Sequence, residues 1–378
     1  MTTSSLLFRS LYRCKISTLF QTNSFFACLK PIVMATPATN YSTSSSGSSF
    51  LPSSDRFQTP NMLLTLTHIS LQMPTCSTSS SPRPRRSASS TASQSTASGG
   101  ARSCLEARPS VTLAKQHTTH VALSIFVNPA QFAPHEDLAQ YPRTLPSDLK
   151  KLESLGPGAV SAVLVPSVSD MYPSGITLDV VEQRGTFVEI KGKSHQMEGI
   201  TRPGFFRGVA TVVSKLFNII QPDAAFFGQK DIQQCMVIRT LIRDLHFPLH
   251  FHIAPTARDP TDGLALSSRN RYLTASQRPR ATVLYRALSV ARAAYDAGAR
   301  NREEVLAPAL AVVDEMAREV RELDEGWEVR LDYISLADPE TLEEVQEVVE
   351  EGSGFILSGA VFVGGTRLID NIVVGVEL

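Results

Sequence analysis

The sequence predicts an α/β fold, in which a domain built on a parallel sheet is followed by a smaller α+β domain. Short continuous apolar runs, of which residues 121–127 are the first, alternate with segments of helical periodicity as far as residue 253. Such runs are typical of strands buried on both faces, and these occur in parallel sheets covered by helices. After Asn270 the sequence changes to long amphipathic helices followed by strand-like runs, which predicts a second domain.

The individual elements follow from these periodicities. The first domain is predicted to contain strands at residues 121–127, 160–165, 224–227 and 249–253, and helices at 146–155, 208–220 and 234–245. The second domain is predicted to contain helices at about 276–297 and 302–323, and strands at 329–336, 354–363 and 368–374. The expected domain limits are therefore 113–272 and 273–378.

Residues 1–112 differ in composition from the rest and are predicted to be disordered. They are rich in Ser, Thr, Pro and Arg, show no usable periodicity, and cannot build an apolar core. The first 54 residues contain no acidic residue and mix Arg and Lys with Leu and Phe, which is typical of an organellar transit peptide. An untargeted tail fits equally well, so we expect a cytoplasmic protein, with a mitochondrial location as the alternative.

Charge and cysteine usage exclude several functional classes. The chain has 36 basic and 36 acidic residues, so it lacks the excess of positive charge that would favour nucleic acid or an anionic membrane as a partner. None of its five cysteines forms a Cys-x-x-Cys pair, so neither a zinc site nor a disulfide framework is indicated. No apolar run approaches the length of a membrane span.

Two segments carry the strongest functional signal. The first is an apolar strand that ends at Gly228, with Lys230 and a helix beginning just beyond it. A strand-to-helix turn of this kind presents backbone N–H groups to an anion, and a lysine adds a mobile positive charge. The second segment supplies two hydroxyls and a guanidinium from residues 267–269. Together they predict a nucleotide site; a strand-end loop followed by an ordinary surface turn is the alternative.

Several longer motifs resemble one enzyme family. They include Ser124-Ile-Phe-Val-Asn-Pro-Ala-Gln-Phe132, Pro166-Ser-Val-Ser-Asp-Met-Tyr-Pro173, and Arg367-Leu-Ile-Asp-Asn371, and they occur in family order from about residue 118 to the C-terminus. On these motifs the sequence resembles the pantoate–β-alanine ligases, also called pantothenate synthetases. The resemblance implies a Rossmann-like nucleotidyltransferase domain, a smaller C-terminal domain and a homodimer. It also implies that ATP, as its Mg²⁺ complex, activates pantoate as pantoyl adenylate, which β-alanine then converts to pantothenate.

The resemblance also implies roles for particular residues. Gln131 and Gln234 would bind pantoate, and Gln131 would later bind β-alanine. The ATP site would be formed by residues that lie in three stretches of the sequence, namely Gly228, Gln229, Lys230, Asp231, Ala257, Leu266, Ser267, Ser268 and Arg269. The uncharged side-chain amide of a Gln can form a hydrogen bond with a hydroxyl or a carboxylate. The cationic side chains of Lys230 and Arg269 would offset the negative charge that develops on the phosphates. The ligands of the metal stay unassigned.

One family feature is missing. The family begins with a strand, a Thr-Met-Gly turn and a His-x-Gly-His motif whose histidines contact the ATP phosphates, and residues 1–120 contain no match to it. The segment 117–120 has the histidine spacing without the glycine, so we interpret it as a loop that approaches the strand at residue 121. No catalytic residue is therefore identified.

The composition of the segment before residue 113, with its many Arg, Ser, Pro and Cys residues, indicates coding sequence read in a wrong frame or across a misplaced splice site. The activity of the chain as it stands is thus in doubt. The alternatives to a ligase are another nucleotidyltransferase of the same fold and a catalytically dead pseudoenzyme.

Overall fold

A computed structural model describes residues 33–35, 103–132, 138, 145–347 and 354–376. The predicted α/β class is confirmed, since the described residues form one five-stranded sheet with helices and one smaller antiparallel sheet. The predicted transit peptide and most of the predicted disorder fall on residues 1–32 and 36–102, which lie outside the described residues.

The first sheet and its helices comprise β1 (Val33–Ala35), α1 (Ser103–His117), β2 (Ala122–Ser124), α2 (Leu145–Glu153), β3 (Ala162–Leu164), α3 (Val168–Met171), α4 (Glu198–Thr201), α5 (Phe205–Ile220), β4 (Ala224–Gly228), α6 (Ile232–Asp244) and β5 (His250–Ala254). The strand order is β3-β2-β1-β4-β5. The pairs β2–β3 and β4–β5 are parallel, as predicted.

The strand β1 was not predicted and departs from a purely parallel sheet. It lies between β2 and β4 and is antiparallel to both of them. Ala35 is opposite Ala224, the first residue of β4, so the chain after β1 leaves from the amino-terminal edge of the parallel strands. The last residue of β1 is therefore at the opposite edge of the sheet from Gly228, where β4 ends.

The helix α1 corrects the expectation that residues up to 112 are disordered, because it begins ten residues earlier than residue 113. Its buried positions Ala107, Val111 and Ala114 follow a helical spacing, and Val111 and Ala114 pack with Leu123 and Phe226 of the sheet. Pro109 inside the helix and the small size of the buried side chains conceal this periodicity in the sequence.

The core on the other side of the sheet is dominated by α5. Ten of its sixteen residues are buried, and they pack with α6 and with Phe227 of β4. The helix begins after Gly204, whose φ of 81° suits glycine, and ends at Gln221, whose backbone N–H donates to the carbonyl of Phe217. Residues of α5, α6 and β4 therefore share one apolar core.

The C-terminal part contains α7 (Gln277–Arg280), α8 (Val283–Asp296), α9 (Arg302–Leu323), β6 (Val329–Ala337), β7 (Phe355–Val363) and β8 (Thr366–Val374). The strands form an antiparallel meander in the order β6-β7-β8, and α8 and α9 pack against it through a separate apolar core. The strand β8 contacts the turn that follows β4, so the two sheets meet beside Gly228.

Candidate active site

The turn after β4 is held from both sides. Residues Gln229–Asp231 form one turn of 3₁₀ helix that leads directly into α6. From β8, the side-chain Nδ2 of Asn371 donates to the backbone oxygens of Gln229 (2.9 Å) and Lys230 (3.0 Å). Because these bonds go to the backbone, the position of the turn does not depend on the lysine side chain. The side chain of Lys230 is nevertheless buried, with 7% of its surface exposed.

The second predicted segment forms a hairpin and a short 3₁₀ helix. The backbone N–H of Leu266 donates to the carbonyl of Ala257 (2.8 Å), so the hairpin brings these two predicted residues together. Ser267 caps the 3₁₀ helix Ser268–Tyr272, because its hydroxyl accepts from the N–H of Arg269. A bidentate ion pair between Arg258 and Asp370 of β8 fixes the hairpin (2.7 and 2.9 Å).

The two segments meet, but their side chains do not all line one cavity. Lys230 and Ser267 line the same small cavity, together with Asp370. Arg269 lines a neighbouring cavity of about 300 Å³ next to Arg367 of β8, and its Nη1 donates to the carbonyl oxygen of Arg367 (2.7 Å). Residues of β8 therefore line both cavities, next to Lys230 in one and next to Arg269 in the other.

Arg367 of β8 is the centre of a buried charge network that the sequence did not reveal. Arg367 forms a bidentate ion pair with Glu198 of α4 (both 2.8 Å) and a second ion pair with Asp332 of β6 (2.7 Å). The hydroxyl of Tyr333 donates to Glu198 as well (3.0 Å). Burial alone would raise the pKa of Glu198, but the charge and hydrogen bonds of Arg367, followed by the charges of Arg202 and Arg269, hold it below its ordinary value.

This ion pair makes stability depend on pH. Because the pKa of Glu198 is lower in the folded chain than the ordinary 4.5, its contribution is complete above that value and is lost as the pH falls through the folded pKa. We expect Glu198→Gln to lower the free energy of unfolding at pH 7 by about 3–5 kcal/mol, since it leaves the buried Arg367 short of a charge partner. The difference from the unaltered chain should shrink as the pH falls below 4.5.

Urea denaturation from about pH 7 down to about pH 3 measures this effect. Asp296→Asn is the matched control, because it neutralises the carboxylate of an exposed ion pair with Arg292, and such pairs contribute about 0–1 kcal/mol. Equal losses of stability in the two variants would show that the buried pair has no special weight.

Gln131 lies in a short turn that follows β2. The turn Pro129–Gln131 is capped by the buried Asn128, and α5 packs against it so closely that a Cβ on Gly208 would lie 2.2 Å from the carbonyl oxygen of Ala130. Gln131 is 2% exposed, and its backbone oxygen accepts from Nη2 of Arg202 (3.2 Å). Its side-chain Nε2 has no hydrogen-bond partner among the described residues.

Gln234, like Gln131, has a buried side-chain amide. It lies in the first turn of α6, is 3% exposed, and its Nε2 also lacks a hydrogen-bond partner within the described part of the chain. Its neighbour Gln233 differs, because Nε2 of Gln233 donates to the carbonyls of Lys193 and Gln196 and its Oε1 accepts from the N–H of Glu198. Gln233 therefore has a structural role, whereas Gln234 keeps a buried donor available.

The histidine pair of the sequence lies elsewhere. His117 is the last residue of α1 and packs against His252 of β5, with the ring centroids 4.5 Å apart and the planes tilted by 31°. Residues 118–121 then connect α1 to β2, so Thr118–His120 form a loop before the strand as interpreted, whereas His117 belongs to the helix. In the described residues no group of three or more His, Cys, Asp or Glu side chains could hold a metal ion. No helix within the same residues is long and apolar enough to cross a membrane.

Comparisons with known proteins agree with this architecture. The family model described as pantoate-beta-alanine ligase matches residues 110–373. The pantothenate synthetase of Herpetosiphon aurantiacus is 47% identical over 250 residues, covering 66% of this chain and 82% of that protein. The pantoate–beta-alanine ligase of Saccharomyces cerevisiae is 43% identical over 272 residues, covering 68% and 84%. The crystal structure of pantothenate synthetase from Thermus thermophilus superposes with a TM-score of 0.59 at 38% identity, covering 71% of this chain and 88% of that one. The chain therefore belongs to the pantoate–β-alanine ligase family.

Proposed function

We propose that this chain condenses (R)-pantoate with β-alanine to give pantothenate, at the expense of ATP, which is converted to AMP and pyrophosphate. The observation that carries this proposal is the pair of buried glutamine amides, Gln131 and Gln234, whose Nε2 groups have no partner among the described residues. A buried donor without an acceptor is costly, typically about 1–3 kcal/mol, so its retention in a folded protein favours a ligand that supplies the acceptor. Pantoate offers two hydroxyls and a carboxylate.

The ATP site is proposed at the carboxyl end of β4 and on the facing hairpin. Gly228, Gln229, Lys230 and Asp231 would line one side, and the other side would be lined by residues of the hairpin and its 3₁₀ helix, Ala257, Leu266, Ser267, Ser268 and Arg269. In open α/β sheets nucleotides bind outside the carboxyl ends of the strands, which favours this placement. Lys230 and Arg269 would counter the charge of the phosphates, and the backbone around Ala257 would meet the adenine.

The reaction needs positioning more than covalent chemistry by the protein. A carboxylate oxygen of pantoate attacks the α-phosphorus of ATP, and the electron pair of the broken P–O bond leaves with pyrophosphate. The amine of β-alanine then attacks the acyl carbon of pantoyl adenylate, AMP leaves with the C–O bond pair, and the amine loses a proton. Gln131 would hold pantoate in the first step and β-alanine in the second, and Gln234 would hold pantoate.

Magnesium is proposed only as the partner of ATP. Mg²⁺ usually keeps several waters and binds through substrate phosphates with one or two carboxylates, so it does not require a cage of protein ligands. Among the described residues no group of three or more His, Cys, Asp or Glu side chains could form such a cage. When bound, the ion would neutralise phosphate charge; its protein ligands stay unassigned.

The glycine at the end of β4 gives a direct test of the ATP site. A Cβ on Gly228 would meet no atom within 4 Å, and its φ of −84° suits any residue, so packing does not require glycine there. We expect Gly228→Ala to change stability by no more than roughly 0.5 kcal/mol, but to weaken ATP binding several-fold by narrowing the approach of the phosphates.

Gly208→Ala is the contrasting variant, because its Cβ would clash with the backbone of residue 130, and it should destabilise the chain. Thermal unfolding and nucleotide titration of both variants separate the two roles of glycine, which are access for the phosphates at Gly228 and close backbone packing at Gly208. ATP binding by Gly228→Ala at unaltered strength would place the nucleotide elsewhere.

The remaining features are also proposals. We propose a homodimer with small molecules as its substrates, no nucleic acid or membrane partner, and domain limits near residues 113–272 and 273–378. A cytoplasmic location is proposed, with the acid-free first 54 residues as the argument for a mitochondrial one.

A second candidate function is a pseudoenzyme that keeps the fold without turnover. The strand β1 supports this alternative, because it is antiparallel to β2 and β4 and its last residue, Ala35, lies at the edge opposite the one where the phosphates would bind. If the chain is a pseudoenzyme, Gln131 and Gln234 would still bind pantoate, and no AMP would form.

The purified chain with ATP, pantoate and β-alanine separates these functions. AMP that forms only when both pantoate and β-alanine are present supports the ligase. Pyrophosphate release with a different acceptor would instead indicate another nucleotidyltransferase. Pantoate binding that is lost in Gln131→Leu and Gln234→Leu, without any turnover, would support the pseudoenzyme; no pantoate binding at all would contradict the proposed site.

A further inference from the structure

Asn128 has a single favoured orientation of its side-chain amide. Its Oδ1 accepts from the hydroxyl of Tyr172 (2.6 Å) and from the backbone N–H of Ala130 (3.3 Å). Its Nδ2 donates to Oε1 of Gln131 (2.7 Å) and to the carbonyl of Gly208 (3.2 Å). Turning the amide over would set its NH₂ against the N–H of Ala130 and its oxygen against the carbonyl of Gly208, so both backbone groups oppose the reversal.

The orientation of Asn128 determines that of Gln131. Since Nδ2 of Asn128 is a donor, the atom of Gln131 that faces it must be the acceptor Oε1. The NH₂ group of Gln131 then points away from Asn128, and it is this Nε2 that is buried without a partner in the described part of the structure. Asn128, Gln131 and Tyr172 are all at most 4% exposed, so water does not compete for these bonds.

Tyr172 stands at the start of this chain of bonds. It follows α3, 44 residues from Asn128, and its ring is held independently of its hydroxyl because Nζ of Lys215 lies 3.9 Å from the ring centroid. Burial raises the pKa of the Tyr172 phenol, outweighing the opposing effect of its bond to Asn128, so the hydroxyl keeps its proton and stays a donor. The phenol therefore stabilises Asn128 with its oxygen toward Tyr172 and its NH₂ toward Gln131.

We propose that Tyr172 and Asn128 are positioning residues that fix Gln131 as a hydrogen-bond donor toward the substrate. The consequence for specificity is that the ligand group facing Gln131 must be an acceptor, such as a carboxylate or hydroxyl oxygen, and an ammonium or amide NH₂ in that place is rejected. This inference rests on the proposed pantoate site and extends it to two residues that do not touch the substrate.

Tyr172→Phe tests the inference in the full chain, because it removes the hydroxyl and retains the ring. We expect the Kd for pantoate, measured by titration calorimetry, to rise roughly five- to tenfold, the equivalent of one hydrogen bond. The Kd for ATP should stay unchanged. Tyr295→Phe is the matched control, since that ring packs on Phe355 in the C-terminal core and its loss of a hydroxyl should alter neither constant.

Two outcomes would overturn the assignment. Pantoate binding by Tyr172→Phe at the strength of the unaltered chain would show that the hydroxyl does not orient Gln131. Equal losses of pantoate and ATP binding would show a general structural role in place of a positioning one. If the unaltered chain binds no pantoate, the proposed function fails, and the amide orientation is decided without ligand as follows.

The ligand-free test compares two variants that each introduce one carboxylate. Gln131→Glu keeps an acceptor facing Nδ2 of Asn128, so the bond survives. Asn128→Asp sets an acceptor against Oε1 of Gln131 and against the carbonyl of Gly208, so two bonds are lost. We expect Asn128→Asp to lower the unfolding temperature further than Gln131→Glu does, and the reverse ranking would overturn the assigned orientation.

Discussion

Placing a strand and a Thr-Met-Gly-x-x-His-x-Gly-His segment ahead of Leu113 is expected to raise AMP formation by at least about a hundredfold, because each preorganised donor to a reacting phosphate contributes about that much. The chain as it stands offers Lys230 and the segment Ser267–Arg269 to the proposed triphosphate. The motif would supply further contacts, namely the two histidines that the family resemblance places against the phosphates.

The geometry of the sheet explains why the present N-terminal segment does not substitute for that motif. The strand β1 runs antiparallel to β2 and β4, and Ala35 lies at the amino-terminal edge of the parallel strands. The inserted strand must therefore replace β1 and run in the opposite direction, so that its turn reaches Gly228.

A coupled assay for AMP compares the two chains at equal soluble concentration. The control carries the same inserted strand and turn with both histidines replaced by alanine, so that it restores the sheet without the phosphate contacts. Full rescue by this control would assign the gain to folding. If the chain without the inserted segment turns over as fast as the chain that carries it, the motif is dispensable and this description of the active site is wrong.

The periodicity of the sequence predicted most elements because their signals are local. The helix predicted at 302–323 has those bounds, and the three C-terminal strands fall within two residues of their predicted limits. The strand β1 could not be predicted in this way. It has three residues, and its stability in the sheet comes from pairing with Ala122 and Ala224, which are distant in sequence. Tertiary pairing of that kind leaves no local pattern.

In the candidate site, too, features with a local sequence signal could be predicted, and contacts between residues distant in sequence could not. The turn Gly228–Asp231 and the Ser267–Arg269 segment were predictable, because each is a continuous stretch of suitable residue types. The ion pair of Glu198 with Arg367 spans 169 residues, and both residues stand in otherwise ordinary motifs. Only the folded arrangement shows that Arg367 also anchors Arg269 through its carbonyl oxygen.

Lys230→Ala, made in the chain that carries the inserted strand and His-x-Gly-His segment, is expected to lower kcat by about a hundredfold or more. Pantoate binding should stay nearly unchanged. The lysine is buried beside Ser267, and the backbone of its turn is held by Asn371 whatever the side chain is. The substitution therefore removes a charge without moving the turn. A cation whose contact with the phosphates tightens as pyrophosphate departs stabilises the transition state more than the ground state, so its loss falls on kcat.

Steady-state kinetics with pantoate and ATP varied separately measure this division between turnover and binding, and the pantoate Kd of the variant shows whether the acid site is intact. Lys150→Ala is the matched control, because Lys150 is an exposed lysine of α2 and its loss should alter neither constant. An equal rise of the pantoate and ATP KM with unaltered kcat would mean that Lys230 contributes uniform binding only. An unchanged kcat together with unchanged KM values would remove Lys230 from the mechanism, and with it the charge that the turn after β4 contributes to the reaction.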